Sequence, residues 1–149
     1  MLNTPILHPQ LLHALGRIGH GSRVLLSDGN FPHATSTPAS AERVFLNFAP
    51  GMLSVTDVLG PLLEVIPVEA ATVMAPLRSG PYAMEGDPPI FGDFEKMLAP
   101  SGVSELEPLE RFAFYDAAKS SDTGLVIATG EQRIYANLLL TIGVVKGEA

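Results

Sequence analysis

Short apolar runs that alternate with helical segments constrain the fold of this chain more than any other feature. The run Arg23–Ser27 lies between a glycine-rich stretch and an Asp-Gly pair, which is typical of a buried strand. Further runs of this kind lie at 44–48, 65–68, 71–75, 124–128 and 135–145. Helices that alternate with buried strands indicate an α/β fold in which both faces of the sheet are covered.

Four segments are predicted to be helical. Residues 8–18 place Leu11, Leu12, Leu15 and Ile18 on one face, and Gly19 stands where a left-handed C-cap would lie. Residues 54–63 begin with Ser54 as the expected N-cap. The other two helices are expected around 91–98 and 111–119. Between residues 76 and 108 prolines and glycines are frequent, so the rest of that region is predicted to be loop.

Composition excludes several classes of protein. A chain of 149 residues fits one domain, and its net charge of −7 with no basic cluster disfavours nucleic acid as a partner. No apolar run approaches the roughly 20 residues that a membrane span requires, so no membrane partner is expected. The chain has no cysteine, which removes disulfides, thiol nucleophiles and thiolate metal sites. We expect a cytoplasmic protein that is not exported.

Polar side chains follow three of the predicted strands or turns. They lie at 28–33, 129–131 and 135–137. Open α/β sheets bind ligands beyond the carboxyl ends of their strands, so these stretches are the candidate site. They are rich in hydrogen-bonding groups and poor in cations, which favours a neutral, polyhydroxylated ligand such as a sugar over a phosphorylated one.

Other site types fit the sequence less well. Gly16, Gly19 and Gly21 do not follow a strand in the order of a dinucleotide fingerprint, and no GxxxxGK phosphate loop or GxSxG elbow occurs. The four histidines have no recognised metal-ligand spacing, so no metal is expected. A nucleotide-binding α/β module remains an alternative, although the acidic charge disfavours phosphates.

Three stretches resemble a known family. IGHGSRVLLSDGNFPH at 18–33, RFAFYDAAK at 111–119 and ATGEQRIYANLLL at 128–140 are similar to the ribose pyranases and fucose mutarotases. The Arg-Phe-x-Phe-Tyr element lies closest to the fucose mutarotase branch. TGE followed by Tyr-x-Asn is the most specific motif, whereas residues 76–110 match poorly.

The resemblance implies a single three-layer α/β/α domain over 1–149 with a mostly parallel central sheet. It implies an enzyme that interconverts the α and β anomers of a free monosaccharide, L-fucose first, without metal or organic cofactor. The alternative is a D-ribose pyranase, which interconverts the pyranose and furanose forms of the sugar. A ring-shaped homo-oligomer, a decamer, is also implied. The family's proton donor corresponds to His20. Its sugar contacts correspond to Asp28, Arg111, Tyr135, Ala136, which offers only its backbone, and Asn137. A non-catalytic sugar-binding subunit remains the alternative from another class.

The positions of His20 and Asp28 raise a geometric difficulty. If 23–27 form one extended strand, the two residues of one chain lie some 20 Å or more apart and cannot share a sugar. Either the glycines at 19 and 21 let the chain fold back, or the site takes the two residues from different subunits. We prefer the second arrangement, because it gives oligomerisation a catalytic reason. His33, directly after Pro32, is expected only as a pocket residue.

Overall fold

The computed structural model describes residues 1–148. Its helices are α1 (Pro9–Leu15), α2 (Val55–Leu63), α3 (Pro89–Leu98) and α4 (Arg111–Ala118), and a 3₁₀ turn spans Ala99–Ser101. Its strands are β1 (Arg23–Ser27), β2 (Glu42–Phe45), β3 (Val68–Met74), β4 (Glu107–Leu109), β5 (Thr123–Ala128) and β6 (Leu138–Ile142).

One six-stranded sheet has the order β2-β5-β1-β6-β3-β4. Strand β1 pairs in parallel with β5, and β3 pairs in parallel with β4, while β6 runs antiparallel to both β1 and β3. The expected mostly parallel sheet is therefore confirmed, with β6 as the one reversed strand in the described part of the chain.

Two apolar cores flank the sheet and define three layers. One core joins Val24 and Leu26 of β1 to α1, α2 and α3 on the first face. The second core joins Leu25 to Phe114 of α4 on the other face. Successive residues of β1 point to opposite faces, and both faces are buried, which explains why its sequence is continuously apolar. The predicted α/β/α architecture is confirmed.

Helix α2 shows how the local sequence fixes an element. The Ser54 hydroxyl accepts a hydrogen bond from Asp57 N at 3.1 Å, and the Asp57 carboxylate accepts one from Ser54 N at 2.9 Å. This reciprocal capping box satisfies two backbone donors that the first helical turn leaves unpaired. The predicted N-cap and the bounds of this helix agree closely with the structure.

Several predicted boundaries are wrong. Helix α1 ends at Leu15 with Gly16 as its C-cap, so Gly19 does not cap it. The runs 65–68 and 71–75 are not two strands, because Val65 and Ile66 close the last turn of α2 on the Leu62 carbonyl and one strand begins after Pro67. The second strand spans 42–45 rather than 44–48. Strand β4 lies where a loop was expected.

Candidate active site

A cavity of about 420 Å³ opens at the carboxyl ends of β1 and β3. This size falls in the range of small-molecule sites. Its lining residues are Asp28, Asn30, Phe31, Met74, Leu77, Tyr82, Arg111, Tyr115, Ile134, Tyr135 and Asn137. Four of the six residues proposed from sequence, namely Asp28, Arg111, Tyr135 and Asn137, therefore come together here.

The register of the sheet brings Asp28 and Asn137 together. Leu26 of β1 lies opposite Leu138 of β6, and this pairing brings Asn137, just before β6, within hydrogen-bond distance of Asp28, just after β1. The Asn137 Nδ2 donates to Asp28 Oδ2 at 3.0 Å, and Asp28 N donates to Asn137 Oδ1 at 2.9 Å. These two bonds lock the orientation of both side chains at the base of the cavity.

The Asp28 carboxylate is poised as a buried hydrogen-bond acceptor. Burial raises the pKa of Asp28, and this effect outweighs the opposing hydrogen bonds from Asn30 N and the Asn137 side chain. Its Oδ1 accepts from Asn30 N at 3.0 Å. A carboxylate held in this way can accept hydrogen bonds from sugar hydroxyls at a fixed position.

Tyr135 has backbone in the left-handed region, with φ of 60°. Its hydroxyl accepts from Leu77 N at 3.1 Å and donates to the Tyr82 carbonyl at 3.0 Å. The Tyr135 side chain therefore ties the segment after β3 to the loop before β6. A non-glycine residue at positive φ is uncommon and marks a conformation that the surrounding structure imposes.

The Ala136 side chain lies outside the cavity. It is fully buried in the core between the sheet and the α1–α3 layer, whereas its neighbours Tyr135 and Asn137 line the cavity. The turn at Tyr135, with its left-handed φ, separates the orientation of the Ala136 side chain from that of its neighbours.

Arg111 is the first residue of α4 and lines the cavity. Its guanidinium carbon lies 5.6 Å from the Tyr115 ring centroid and 5.9 Å from that of Phe112. Tyr115, one turn along the helix, also lines the cavity. The planar fork of Arg111 can donate to several hydroxyl oxygens, and the aromatic contact supports its orientation.

The buried Glu131 organises the loop that carries Tyr135 and Asn137. Its carboxylate accepts from Val55 N at 3.2 Å, from Arg133 N at 2.9 Å and from Arg133 Nη2 at 2.7 Å. Burial alone would raise the pKa of Glu131, yet the hydrogen bonds from Arg133 and Val55 lower it to about 2. This residue of the TGE motif therefore fixes the loop against the amino end of α2.

Gly130 of the same motif sits where no side chain fits. A Cβ at this position would press against the carbonyl oxygens of Ala49 and Met52. The Gly130 N–H donates to Leu53 O at 2.9 Å, and its carbonyl accepts from Gly51 N at 2.6 Å. Close approach of two backbone segments explains the glycine.

His20 lies at the opposite end of the sheet from Asp28. It precedes β1, its side chain is exposed, and its Nε2 lies 3.2 Å from Glu69 Oε2 near the start of β3. The five-residue strand β1 separates it from Asp28, so the structure does not bring the two residues of one chain together.

His33 does not line the cavity, and its role as a pocket residue stays a prediction. Its half-buried ring packs 5.7 Å from that of Phe31 and 6.1 Å from that of Phe45. The buried Nε2 has no hydrogen-bond partner within residues 1–148, and burial lowers the pKa of His33.

Several residues that line the cavity or contact His20 were not named individually from the sequence, although Asn30 lies within the candidate stretch 28–33. Asn30 lies in the predicted loop after β1, and Tyr115 follows Arg111 by four residues, so strand-end and helical spacing could have identified both. Glu69 and Tyr82 carry no local signal, because their partners lie 49 and 53 residues away in the chain.

No group of three or more histidine and acidic side chains among residues 1–148 is arranged to hold a metal ion. In the same part of the chain, no helix combines the length and apolarity needed to cross a bilayer.

The fold and the cavity define a three-layer α/β protein with a polar small-molecule site at its strand ends. Residues 1–145 match the sequence model of the RbsD / FucU transport protein family, and the chain belongs to that family.

Relatives with assigned names cover nearly the whole chain. The fucose mutarotase of Danio rerio is 34% identical over 149 residues, which cover 96% of this chain and 92% of the relative. The fucose mutarotase of Homo sapiens is 33% identical over 144 residues, which cover 93% of this chain and 90% of the relative.

Solved structures show the same architecture. The fucose mutarotase of Streptococcus pneumoniae, in complex with L-fucose, superposes with a TM-score of 0.81 at 26% identity, covering 98% of this chain and all of that one. The RbsD protein of Bacillus subtilis, complexed with D-ribose, superposes with a TM-score of 0.77 at 25% identity and the same coverage.

Proposed function

We propose that this protein is an L-fucose mutarotase, an isomerase that interconverts the α and β anomers of the free sugar. The cavity with Asp28, Arg111, Tyr135 and Asn137 at the strand ends is the observation that carries the proposal. Similarity to fucose mutarotases over more than nine-tenths of the chain supports it.

Mutarotation needs only proton transfers and positioning. The proton of the anomeric hydroxyl leaves, the bond from the anomeric carbon to the ring oxygen breaks, and the ring oxygen gains a proton. The resulting aldehyde rotates and the ring closes on its other face. One group that gives and takes protons near neutral pH serves both directions, so the proposal requires neither metal nor organic cofactor.

We assign the proton transfer to His20 and substrate contacts to Asp28, Arg111, Tyr135 and Asn137, with Ala136 contributing its backbone. The Glu69 carboxylate supports the role of His20, because it lies 3.2 Å from Nε2 and leaves Nδ1 as the nitrogen for proton transfer. A carboxylate that holds one ring nitrogen fixes the orientation and tautomer of an imidazole.

The proposed site is shared between subunits of a homo-oligomer, for which we propose a ring-shaped decamer. The position of His20, one strand length away from Asp28, supports this arrangement. A His20 from a neighbouring copy would complete each cavity. A cytoplasmic location remains a prediction from the sequence.

Saturation transfer between the anomeric protons of L-fucose tests the activity. We expect exchange about 100- to 10,000-fold faster than the spontaneous reaction, which is the usual gain from general acid–base catalysis. We expect His20→Ala to abolish this rate enhancement, whereas His13→Ala, on the exposed side of α1, retains it. Sugar binding without faster exchange would identify a binding protein, and faster exchange with D-ribose alone would identify a ribose pyranase.

Mixing of two inactive variants tests the shared site. His20→Ala and Asp28→Asn subunits are dissociated, combined in equal amounts and reassembled. A shared site is intact when it receives His20 from one variant and Asp28 from the other, so about one quarter of the wild-type exchange rate returns. No recovery in demonstrably mixed oligomers would contradict the shared site, while leaving the activity itself untouched.

A further inference from the structure

The loop that joins β5 to β6 carries two cavity residues without regular structure of its own. Residues 129–137 form neither helix nor strand, and Tyr135 and Asn137 line the cavity. Conformational entropy opposes the ordering of an irregular loop, so specific contacts must hold it. The contacts of this loop therefore decide where its two cavity residues lie.

Arg133 joins this loop to two helices. Its guanidinium donates twice to the Glu131 carboxylate, from Nε at 3.0 Å and from Nη2 at 2.7 Å. It also donates from Nη2 to Thr56 Oγ1 of α2 at 3.1 Å and from Nη1 to Asp93 Oδ2 of α3 at 3.3 Å. One planar side chain thus ties the loop to both helices, a geometry that the single ammonium group of lysine does not reproduce.

Arg133 is also the cation that balances three nearby carboxylates. Its hydrogen bonds to Glu131 have the largest effect and raise the pKa of Arg133, and the charges of Glu131, Asp93 and Asp57 raise it further. Without the guanidinium, these carboxylates would face one another across the loop and the two helices, and like charges repel. Removal of Arg133 would therefore both untie the loop and push it away from α2 and α3.

Exposure of the side chains separates the strong contact from the weak one. The Glu131 side chain is 5% exposed, whereas that of Asp93 is 51% exposed. An ion pair that is open to water contributes little, whereas hydrogen bonds to a buried charge contribute more. We therefore expect the contact of Arg133 with Glu131 to dominate and its contact with Asp93 to add a smaller part.

The contacts of Arg133 lie close to the cavity along the chain. Tyr135 follows Arg133 by two residues, its backbone has φ of 60°, and its hydroxyl accepts from Leu77 N at 3.1 Å. Arg133 thus ties the loop to the helices, and Tyr135 ties it to the segment after β3. Only one residue separates the two ties, so a displacement of the loop at Arg133 also displaces Tyr135.

We propose that Arg133 is a positioning residue of the sugar site, which holds the loop against α2 and α3 so that Tyr135 and Asn137 are in place before the sugar binds. This inference rests on the proposed mutarotase function. Arg133 does not line the cavity, so its effect falls on sugar binding rather than on the proton transfer assigned to His20. A site that is ordered in advance loses less conformational entropy when its ligand binds.

Arg133→Met tests this role, with Arg17→Met as the matched control. Arg17 makes one exposed ion pair, to Glu42 at 3.6 Å, and does not line the cavity. We expect Arg133→Met to raise KM and the dissociation constant for L-fucose roughly ten-fold, while kcat changes less than about two-fold. Arg17→Met changes none of the three. Saturation transfer at several sugar concentrations gives KM and kcat, and calorimetry gives the dissociation constant.

Two further variants rank the contacts of the guanidinium. Arg133→Lys keeps the charge but loses the planar fork, so its KM is expected between those of the wild type and Arg133→Met. Asp93→Asn removes only the exposed contact, and its KM is expected within about two-fold of the wild type. Amide hydrogen exchange of residues 132–136 in the sugar-free protein is expected to be faster in Arg133→Met than in the wild type.

The outcomes separate this inference from the function on which it rests. A residue that only stabilises the fold would lower the maximal rate and the binding stoichiometry at unchanged KM and affinity, and that result would overturn the positioning role. A raised KM with unchanged amide exchange of the loop would overturn it as well. Thermal unfolding shows whether each variant is folded, and Arg133→Lys provides the test if Arg133→Met is not. Absence of accelerated exchange and of L-fucose binding in the wild type would overturn the proposed function itself.

Discussion

Replacement of Glu131 by glutamine removes a buried charge on which the site loop depends. The Glu131 carboxylate receives hydrogen bonds from Arg133 and from the first residue of α2, Val55, and only 5% of the residue is exposed. Glutamine preserves the shape but places an amide group, itself a donor, against the donors of Arg133. We therefore expect Glu131→Gln to destabilise the fold at neutral pH.

The pKa of Glu131 gives the magnitude. Burial opposes ionisation, but the bonds from Arg133 and Val55 lower this pKa from 4.5 to about 2. A difference of this size corresponds to about 3 kcal/mol of stability. Because the folded-state pKa is depressed, the contribution is complete above about pH 5 and is lost as pH falls toward 2, with about 2 kcal/mol already lost at pH 3.

Urea unfolding of wild type and Glu131→Gln at equal protein concentration measures this difference. We expect a gap of about 3 kcal/mol at pH 7 that narrows to about 1 kcal/mol at pH 3. Glu95→Gln, on the exposed side of α3, is the matched control and changes stability by less than about 0.5 kcal/mol. A gap of the same size at both pH values would show that the ionised carboxylate is not the source of the stability.

Three further predictions concern other parts of the molecule. Gly130→Ala lowers the free energy of unfolding by about 3 kcal/mol, because the new Cβ presses against two carbonyl oxygens. Gly92→Ala raises it by about 1 kcal/mol, because Gly92 lies within a helix with open space around it. Chemical denaturation measures both changes. Because burial raises the pKa of Asp28, we expect sugar affinity to weaken as pH falls, and to weaken at a higher pH than the titration of an exposed aspartate would cause. Calorimetry measures this affinity, and Asp28→Asn shows no such pH dependence. Glu69→Ala lowers the maximal exchange rate with little change in sugar affinity, because it acts through His20; an unchanged rate would exclude that role.

Local sequence signals predicted the elements whose ends are marked by turn or capping residues. Strand β1 is short, apolar and closed by Asp-Gly, and α2 has a capping box, so both lie where expected. Strand β4 was missed because it has three residues, includes Pro108 and pairs only with β3. Proline has no backbone N–H to donate to a neighbouring strand, and it is tolerated in β4 because β4 is an edge strand.

The site was predictable to the extent that it follows strand ends. Asp28 and Asn137 were proposed from their positions and motifs, and the register between β1 and β6 places them in contact. The pairing of His20 with Glu69 was not predictable, because it depends on how β3 lies in the sheet relative to the start of β1. Long-range contacts of this kind leave no trace in local spacing.

The spacing within TGE-x-x-x-Tyr-x-Asn follows from the two ends of the loop that contains it. Glu131 is fixed at one end by Val55 of α2, and Asn137 is fixed at the other by the antiparallel register that sets it beside Asp28. Between these anchors, Tyr135 adopts φ of 60° and reaches Leu77 across the cavity. An added or lost residue would alter the turn at 133–135 between these anchors and displace the Tyr135 hydroxyl from Leu77 N. The geometry therefore requires the spacing of the motif more strictly than the identity of the residues between its fixed positions.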